Sequence, residues 1–343
     1  MSAPDDITAL RSQPEWLPSH WDAVGGRVQF LRLERERHGE VTFLSDEYLG
    51  PLNLAASWAG LSDLRPQADA NTPAPQYIFH SAFAASTLLA RALDVPGVAM
   101  GLKEPQILNE LAEAARTRAL SGEALGTVVQ LLARPFAPGE KVVIKPSNVV
   151  NQLAPSLLEL DPGSNAIFLY APLPRFLRSI AEKGLWGRRW VRCLHALIAR
   201  DTGLDFGLSA AEQFELTDLQ VAALAWLMQH SQGAALVARF AGRVRTLDSE
   251  SFLAGRAGTI AAVARHFDLA IDEPAARQIA EGPAFATHSK EIGRAFDPEA
   301  PLQPKAPLPV VDEEIAMVAQ WAESVADHAG IAIEFPAASR LLS

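Results

Sequence analysis

Short apolar runs alternate with amphipathic segments through the middle of the chain. The runs Tyr77–His80, Val98–Leu102, Lys141–Pro146 and Asn165–Pro172 are continuous and apolar, as strands are when both faces of a parallel sheet are covered. The segments between them place apolar residues at helical spacing, most clearly in "EPQILNELAEAARTRAL". Strands that alternate with helices predict right-handed crossovers and an α/β fold with a parallel sheet.

Other patterns flank this alternation. "RVQFLRL" (Arg27–Leu33) and "EVTFLSD" (Glu40–Asp46) predict two short strands, and "ERERHG" between them predicts a polar turn. The Pro- and Ala-rich stretch Arg65–Gln76 predicts a linker, and Gly184–Gly242 predicts mainly helix.

The last third of the chain predicts a further strand and helices. "RVRTLDSESFLAG" predicts a strand that ends at Asp248 and a helix capped by Ser249 or Ser251, and Glu313–Ala329 predicts a final helix after a proline-rich connector. We therefore divide the chain into three parts. They are a β-rich extension and linker (1–75), an α/β domain (76–300), and a proline-rich connector with a C-terminal helix packed on the same domain (301–343).

The first buried strand leads into a loop of small residues, "HSAFAAST". Ligands of open parallel sheets bind beyond the carboxyl ends of the strands, so this loop is a candidate site. A helix that starts near Ser86 directs its free N–H groups at the loop, and Ser86 and Thr87 add hydroxyl donors, which together suit a phosphate. An ordinary strand-to-helix turn capped by Ser86 explains the same residues. The Walker pattern GxxxxGK[ST] occurs nowhere in the chain, which disfavours an ATPase or GTPase of that type.

Two further strand ends carry charge. Lys103 and Glu104 together offer a cation for a phosphate and a carboxylate base, although an acid followed by Pro105 also suits the first turn of a helix. Lys145 ends an apolar strand, where a lysine needs either solvent or an anion. The loop "HSAFAAST" contains no lysine, so Lys103 and Lys145 are candidates for supplying positive charge to an anion bound there.

A basic segment follows the fourth apolar run. Six cations lie within Arg175–Arg192, interleaved with Trp186 and Trp190. An anion site with an aromatic wall is one interpretation, and a solvated helix face balanced by acids elsewhere is the other. Arg175 and Ser179 lie nearest the strand end, so they are the candidates for anion binding.

Composition narrows the classes of function. A net charge of −10 disfavours a general nucleic-acid binder and leaves room for a local basic pocket. The single Cys193 provides no disulfide framework and no Cys-based zinc site, and no HExxH pattern occurs, so no metal is expected. No apolar run reaches ~18 residues and no signal-peptide pattern begins the chain, so we expect a cytoplasmic protein without membrane or nucleic-acid partners.

In their order along the chain, these segments resemble the motifs of the sulfotransferase family. "FAASTLLARAL" resembles the family's 5′-phosphosulfate loop, and "GLKEP" resembles the segment that supplies a glutamate base in several members. "VVIKPSN" resembles the K-S-P segment, and "AIFLYAPLPRFLRS" resembles a strand followed by R-D-P and a later serine. "FATHSKEIG" resembles a late basic loop, with Lys290 as a ligand of the nucleotide.

The resemblance implies a P-loop-type α/β fold, with a parallel sheet flanked by helices, an N-terminal β-rich extension and a helical insertion. It also implies a transferase that moves a sulfonate group from 3′-phosphoadenosine 5′-phosphosulfate (PAPS) to a hydroxyl or amine, without a metal. The catalytic residues it implies are Glu104, Lys103 and Lys145. The residues it implies for binding the nucleotide are Ser81, Ala85, Ser86, Thr87, Leu88, Arg175, Ser179 and Lys290.

The charged positions depart from the family pattern. The basic residue of the 5′ loop aligns with Phe83, its glycine with Ala85, and the arginine and aspartate of R-D-P with Tyr170 and Ala171. Two alternatives therefore stay open: a kinase-like phosphotransferase with Asp248 as the magnesium ligand, and a non-catalytic nucleotide-binding or interaction protein that retains the fold. The expected partners are a nucleotide and an acceptor of unknown identity, and a homodimer is left open.

Overall fold

A computed structural model describes residues 7–65, 73–286 and 309–342 of the chain. Its strands are β1 (Trp16–Asp22), β2 (Arg27–Arg32), β3 (Ala56–Gly60), β4 (Gln76–His80), β5 (Ala99–Lys103), β6 (Lys141–Lys145), β7 (Ala166–Tyr170) and β8 (Val244–Asp248). Its α-helices are α1 (Ile7–Ser12), α2 (Arg35–Glu40), α3 (Asp46–Leu49), α4 (Ser86–Ala92), α5 (Gln106–Arg116), α6 (Gly122–Leu132), α7 (Ala154–Leu160), α8 (Leu173–Glu182), α9 (Gly184–Thr202), α10 (Ala210–Glu215), α11 (Asp218–Arg239), α12 (Ser249–Ala254), α13 (Arg256–Phe267), α14 (Glu273–Glu281), α15 (Pro283–Ala286) and α16 (Pro309–Ala329).

The described strands form two sheets. β1, β2 and β3 pair in that order as an antiparallel sheet, and the other five form a parallel sheet in the order β5-β6-β4-β7-β8. The α/β class, with a β-rich N-terminal extension and a mainly helical stretch after β7, is confirmed. From β4 the chain builds first one side of the sheet (β5, β6) and then the other (β7, β8), which makes β4 the switch point where such sheets bind ligands.

Contacts along the chain divide it into two compact units. The first unit comprises the described parts of 1–79, 86–167 and 255–293, and the second comprises those of 80–85, 168–254 and 294–343. Buried apolar side chains such as Ile78 and Ile144 fill the first unit, and Phe176 and Trp226 fill the second. The predicted boundaries at 75 and 300 stay predictions.

The N-terminal extension differs from its prediction in one segment. Arg35–Glu40 forms α2 where a polar turn was predicted, and residues 41–45 form no strand. The Arg35 guanidinium donates to Asp94 Oδ1 at 2.6 Å and to Glu140 Oε1 at 3.3 Å. These contacts to distant parts of the first unit stabilise a helix whose local sequence is typical of a turn.

β1 was not predicted because Pro18 interrupts its pattern. β1 is an edge strand of the antiparallel sheet, and its register shifts between Pro18 and His20. Proline is tolerated on edge strands and at bulges, where its missing N–H breaks no ladder. β3 was missed as well, since "ASWAG" contains few of the β-branched residues typical of strands.

Helix α4 packs directly on β5 through a glycine. A Cβ atom at Gly101 would lie 2.7 Å from the carbonyl oxygen of Ala90 and 3.5 Å from Asp94 Cβ. That oxygen belongs to the helix backbone, so the strand and the helix approach each other as closely as backbone atoms permit. Any larger residue at position 101 pushes α4 off the sheet.

Substitution tests this close approach. We expect Gly101→Ala to lower the free energy of unfolding by about 2 kcal/mol, because overpacking forces the backbone apart. Gly126→Ala is the matched control: its Cβ would meet only Leu160 Cδ2 at 3.6 Å, and alanine favours a helix interior by up to ~1 kcal/mol. Urea denaturation measures both variants, and equal stability of the two would contradict the packing described for α4.

Candidate active site

The loop between β4 and α4 holds three non-glycine residues in the left-handed region. The φ angles are +62° at Ala82, +49° at Phe83 and +59° at Ala85. This conformation costs an L-residue roughly 1–2 kcal/mol, which is why glycine usually occupies it. Strain of this kind concentrates at functional sites, so it supports a ligand-binding role for the loop.

Hydrogen bonds fix the start of the loop within the second unit. The Ala82 N–H donates to His80 Nδ1 at 3.1 Å, and the Ser81 N–H donates to the Leu169 carbonyl at 3.1 Å. The Ser81 hydroxyl accepts from the Ala171 N–H at 3.2 Å. Ser81 is therefore engaged with the end of β7, and its predicted contact with a nucleotide stays a prediction.

Helix α4 begins at Ser86, as predicted. Ser86 and Thr87 are buried and Leu88 is half-buried. The first N–H groups of a helix have no intrahelical acceptor, and the partial positive charge of the helix N-terminus favours an anion. The predicted binding roles of Ala85, Ser86, Thr87 and Leu88 fit this arrangement and stay predictions.

β5 and β6 end in an ion pair within the first unit. Lys145 is fully buried, and its Nζ donates to Oε1 of Glu104. The Glu104 N–H donates in turn to the Lys145 carbonyl at 2.7 Å, and Glu104 adopts a left-handed φ of +52°. Burial lowers the pKa of Lys145, and the adjacent Glu104 carboxylate opposes that shift.

The two members of this pair differ in access to solvent. The Glu104 side chain is 23% exposed, whereas that of Lys145 is not exposed at all. A carboxylate that is fixed in place at the carboxyl end of a parallel strand, and still reachable, has the properties of a general base. Lys145 serves to hold that carboxylate.

Lys103 makes a different set of contacts. Its Nζ donates to the carbonyl oxygens of His38 at 2.7 Å and Gly39 at 3.2 Å, close to the end of α2. Burial lowers the pKa of Lys103 to about 8. The ammonium groups of Lys103 and Lys145 thus both have acceptors within the first unit. Their role as the cations of the phosphate loop stays a prediction.

The basic segment Arg175–Arg192 separates into paired and unpaired cations in the second unit. Arg178 pairs with Asp312 at 2.7 Å, and Arg192 and Arg188 pair with Asp218 at 2.6 Å and 3.6 Å. Three others, Arg175, Lys183 and Arg189, have no carboxylate within salt-bridge distance among the described residues. The interpretation of a helix face balanced by acids holds for Arg178, Arg188 and Arg192, and the anion-site interpretation of the segment stays a prediction.

The predicted 3′-phosphate ligands lie on α8. Arg175 is exposed, and the Ser179 hydroxyl donates to the Arg175 carbonyl at 3.0 Å, one helical turn back. Lys290 falls outside the described residues. The Lys183 Nζ lies 5.3 Å from the centroid of the Phe83 ring, a contact that sequence reasoning did not predict. The available signal was the junction "EKGLWG", which has a glycine between two helical patterns.

The described residues contain neither a cluster of metal-ligating side chains nor a helix able to span a membrane. No group of three or more His, Cys, Asp and Glu side chains there is arranged to hold a metal ion. Within the same ranges, every helix is too short or too polar to span a bilayer.

Comparison with known proteins finds similarity only among solved structures. No protein-family model and no curated protein matches the chain. A sulfotransferase domain from the curacin biosynthetic pathway matches at 14% identity and a TM-score of 0.42, over 72% of this chain and 98% of that one. A sulfotransferase from Mycobacterium tuberculosis matches at 13% identity and a TM-score of 0.39, over 65% of this chain and 76% of that one. The sulfotransferase domain of a Synechococcus olefin synthase matches at 15% identity and a TM-score of 0.39, over 75% of this chain and 97% of that one. The chain is similar in fold to these sulfotransferases.

The strain in the loop is testable with neighbouring alanines. We expect Ala85→Gly to raise the free energy of unfolding by about 0.5–1 kcal/mol, since glycine removes the left-handed penalty at a smaller entropic cost. Ala84, which is buried and not left-handed, is the control. Ala84→Gly should lower the free energy of unfolding by about 1 kcal/mol. Urea denaturation distinguishes them, and a loss of stability in Ala85→Gly would show that position 85 is unstrained.

The ion pair predicts an asymmetry between its two deletions. Glu104→Gln leaves a buried ammonium without its counter-charge, so it should lower the free energy of unfolding by about 2–3 kcal/mol. Lys145→Met leaves only a carboxylate that reaches solvent, so its cost should stay below about 1 kcal/mol. Denaturation of both single variants and the double variant measures the coupling, and a larger loss in Lys145→Met would overturn this account of the pair.

Proposed function

We propose that this protein is a transferase that moves a sulfonate group from PAPS to a hydroxyl or amine of an acceptor. The observation that carries the proposal is Glu104: a left-handed, partly exposed carboxylate at the end of a parallel strand, hydrogen-bonded to a fully buried lysine. A carboxylate so placed suits removal of a proton from an acceptor during group transfer. The sequence motifs around it, which resemble those of sulfotransferases, indicate the group transferred.

In the proposed reaction, the acceptor oxygen or nitrogen bonds to sulfur as the bond from sulfur to the 5′-phosphate oxygen breaks. Glu104 takes the acceptor's proton, and adenosine 3′,5′-bisphosphate leaves. The N–H groups at the start of α4, with the hydroxyls of Ser86 and Thr87, stabilise the charge that develops on the leaving group. Arg175 and Ser179 are the proposed ligands of the 3′-phosphate.

The kinase-like alternative depends on Asp248. Its Oδ1 accepts from the Ser251 N–H at 2.8 Å, so it caps α12, in place of the Ser249 or Ser251 cap predicted from the sequence. A carboxylate engaged in capping has one oxygen left for a cation. Magnesium dependence of nucleotide binding separates the two proposals.

Calorimetric titration with adenosine 3′,5′-bisphosphate, with and without magnesium, is the direct test. We expect micromolar affinity that magnesium leaves unchanged, and the same affinity in Glu104→Gln. With labelled PAPS and a panel of hydroxyl and amine acceptors, Glu104→Gln should lose transfer by about a hundredfold or more, as expected for loss of a general base.

Glu113→Gln is the control, because Glu113 is an exposed acid on the neighbouring helix α5, and its ion pair among the described residues is with Arg116 at 3.3 Å. Transfer by this variant should equal that of the unsubstituted protein. Absence of nucleotide binding would rule out PAPS as donor, and binding that requires magnesium would favour the phosphotransferase.

A further inference from the structure

We propose that Lys183 is the cation that binds an anion at the loop Ser81–Ala85. Lys183 lies at the junction of α8 and α9, and it takes the place of a basic residue at position 83, where this chain has phenylalanine. Its ligand is a phosphate-type or sulfonate-type anion, and only the identity of that ligand as the 5′ end of PAPS rests on the proposed function. All of the contacts that carry this inference lie within the second unit.

The Lys183 ammonium lies directly over the side chain of Phe83. Its Nζ is 5.3 Å from the centroid of the Phe83 ring and 5.5 Å from that of Trp186. The Phe83 ring is supported in turn by Trp190 at 5.1 Å and Phe176 at 6.0 Å. An ammonium group over ring faces is attracted by their quadrupoles. Phe83 is therefore a platform that holds a cation at the loop position where a sulfotransferase has one in its own side chain.

No described acid neutralises the charge of Lys183. Among the described residues no acid lies within salt-bridge distance of it, whereas its neighbours Arg178 and Arg192 have partners at 2.7 Å and 2.6 Å. In a chain with a net charge of −10, acids are abundant, so a cation whose partners among the described residues are ring faces is unusual. Ring faces remove water from the ammonium without cancelling its charge, which leaves it able to attract an anion.

The backbone fixes where Lys183 lies. It is the residue between α8 and α9, and Gly184 after it has a φ of +58°. A Cβ atom at Gly187 would lie 2.8 Å from Lys183 Cβ and 2.6 Å from the Ile180 carbonyl. Two glycines thus permit the tight junction that brings the Lys183 side chain to Phe83, and the position is built into the fold of this unit.

Calorimetry of the full chain with inorganic pyrophosphate tests the charge without relying on a nucleotide. We expect Lys183→Met to weaken binding by about tenfold or more, the usual effect of removing a charge-assisted contact. Lys183→Arg should keep most of the affinity. Arg189→Met, which removes another unpaired cation from α9, should change nothing.

A second measurement avoids dependence on the stability of Lys183→Met. In the unsubstituted protein, pyrophosphate should protect Lys183 from acetylation, as read by mass spectrometry. The inference is overturned if the protein binds no pyrophosphate, if Lys183→Met binds it as tightly as before, or if Lys183 is acetylated equally with and without it.

The same titrations with adenosine 3′,5′-bisphosphate separate this inference from the proposed function. Pyrophosphate binding that depends on Lys183, with no gain in affinity from the nucleoside, supports the Lys183 site and removes PAPS as donor. Nucleotide binding that Lys183→Met leaves intact supports the donor and removes Lys183 as its ligand.

Discussion

The burial of the Lys145 ammonium constrains the carboxyl ends of β5 and β6. An ionised group without water costs several kcal/mol unless an opposite charge meets it with good geometry. Glu104 supplies that opposite charge, since its carboxylate accepts from the Lys145 ammonium. The residue directly follows β5, has a left-handed φ, and donates its N–H to the Lys145 carbonyl. The position of the candidate base thus follows from the need of a lysine on the neighbouring strand for a partner.

Four strands of the parallel sheet, β4 to β7, were predictable because strands covered on both faces leave continuous apolar runs in the sequence. The fifth strand, β8, was predicted without such a run, as a strand that ends at Asp248. The N-terminal extension was predictable only in part. Helix α2 depends on Arg35, whose carboxylate partners Asp94 and Glu140 are far along the chain, and a local pattern contains no information about them. The helix α6 was also missed, although its N-cap Ser121 accepts from the Ala124 N–H in the usual way.

The candidate site was predictable at the level of residue types and less so at the level of partners. The sequence places lysines at two strand ends and a cluster of cations after a third. It does not reveal that Lys103 is bound to two backbone carbonyls, or that Asp218 neutralises two of the arginines. Which charges are already neutralised is a property of contacts across the fold, and those contacts decide which cation remains for a ligand.

The left-handed alanines of the loop have a consequence for the thermodynamics of recognition. Glycine visits both halves of the φ range almost equally, so a glycine-rich loop loses conformational freedom when a ligand orders it. Ala82 and Ala85 occupy a narrow well that only the surrounding structure sustains. A loop built in this way loses its conformational freedom at folding, so any ligand it binds would meet a preformed surface and the entropic cost of ordering the loop would be small.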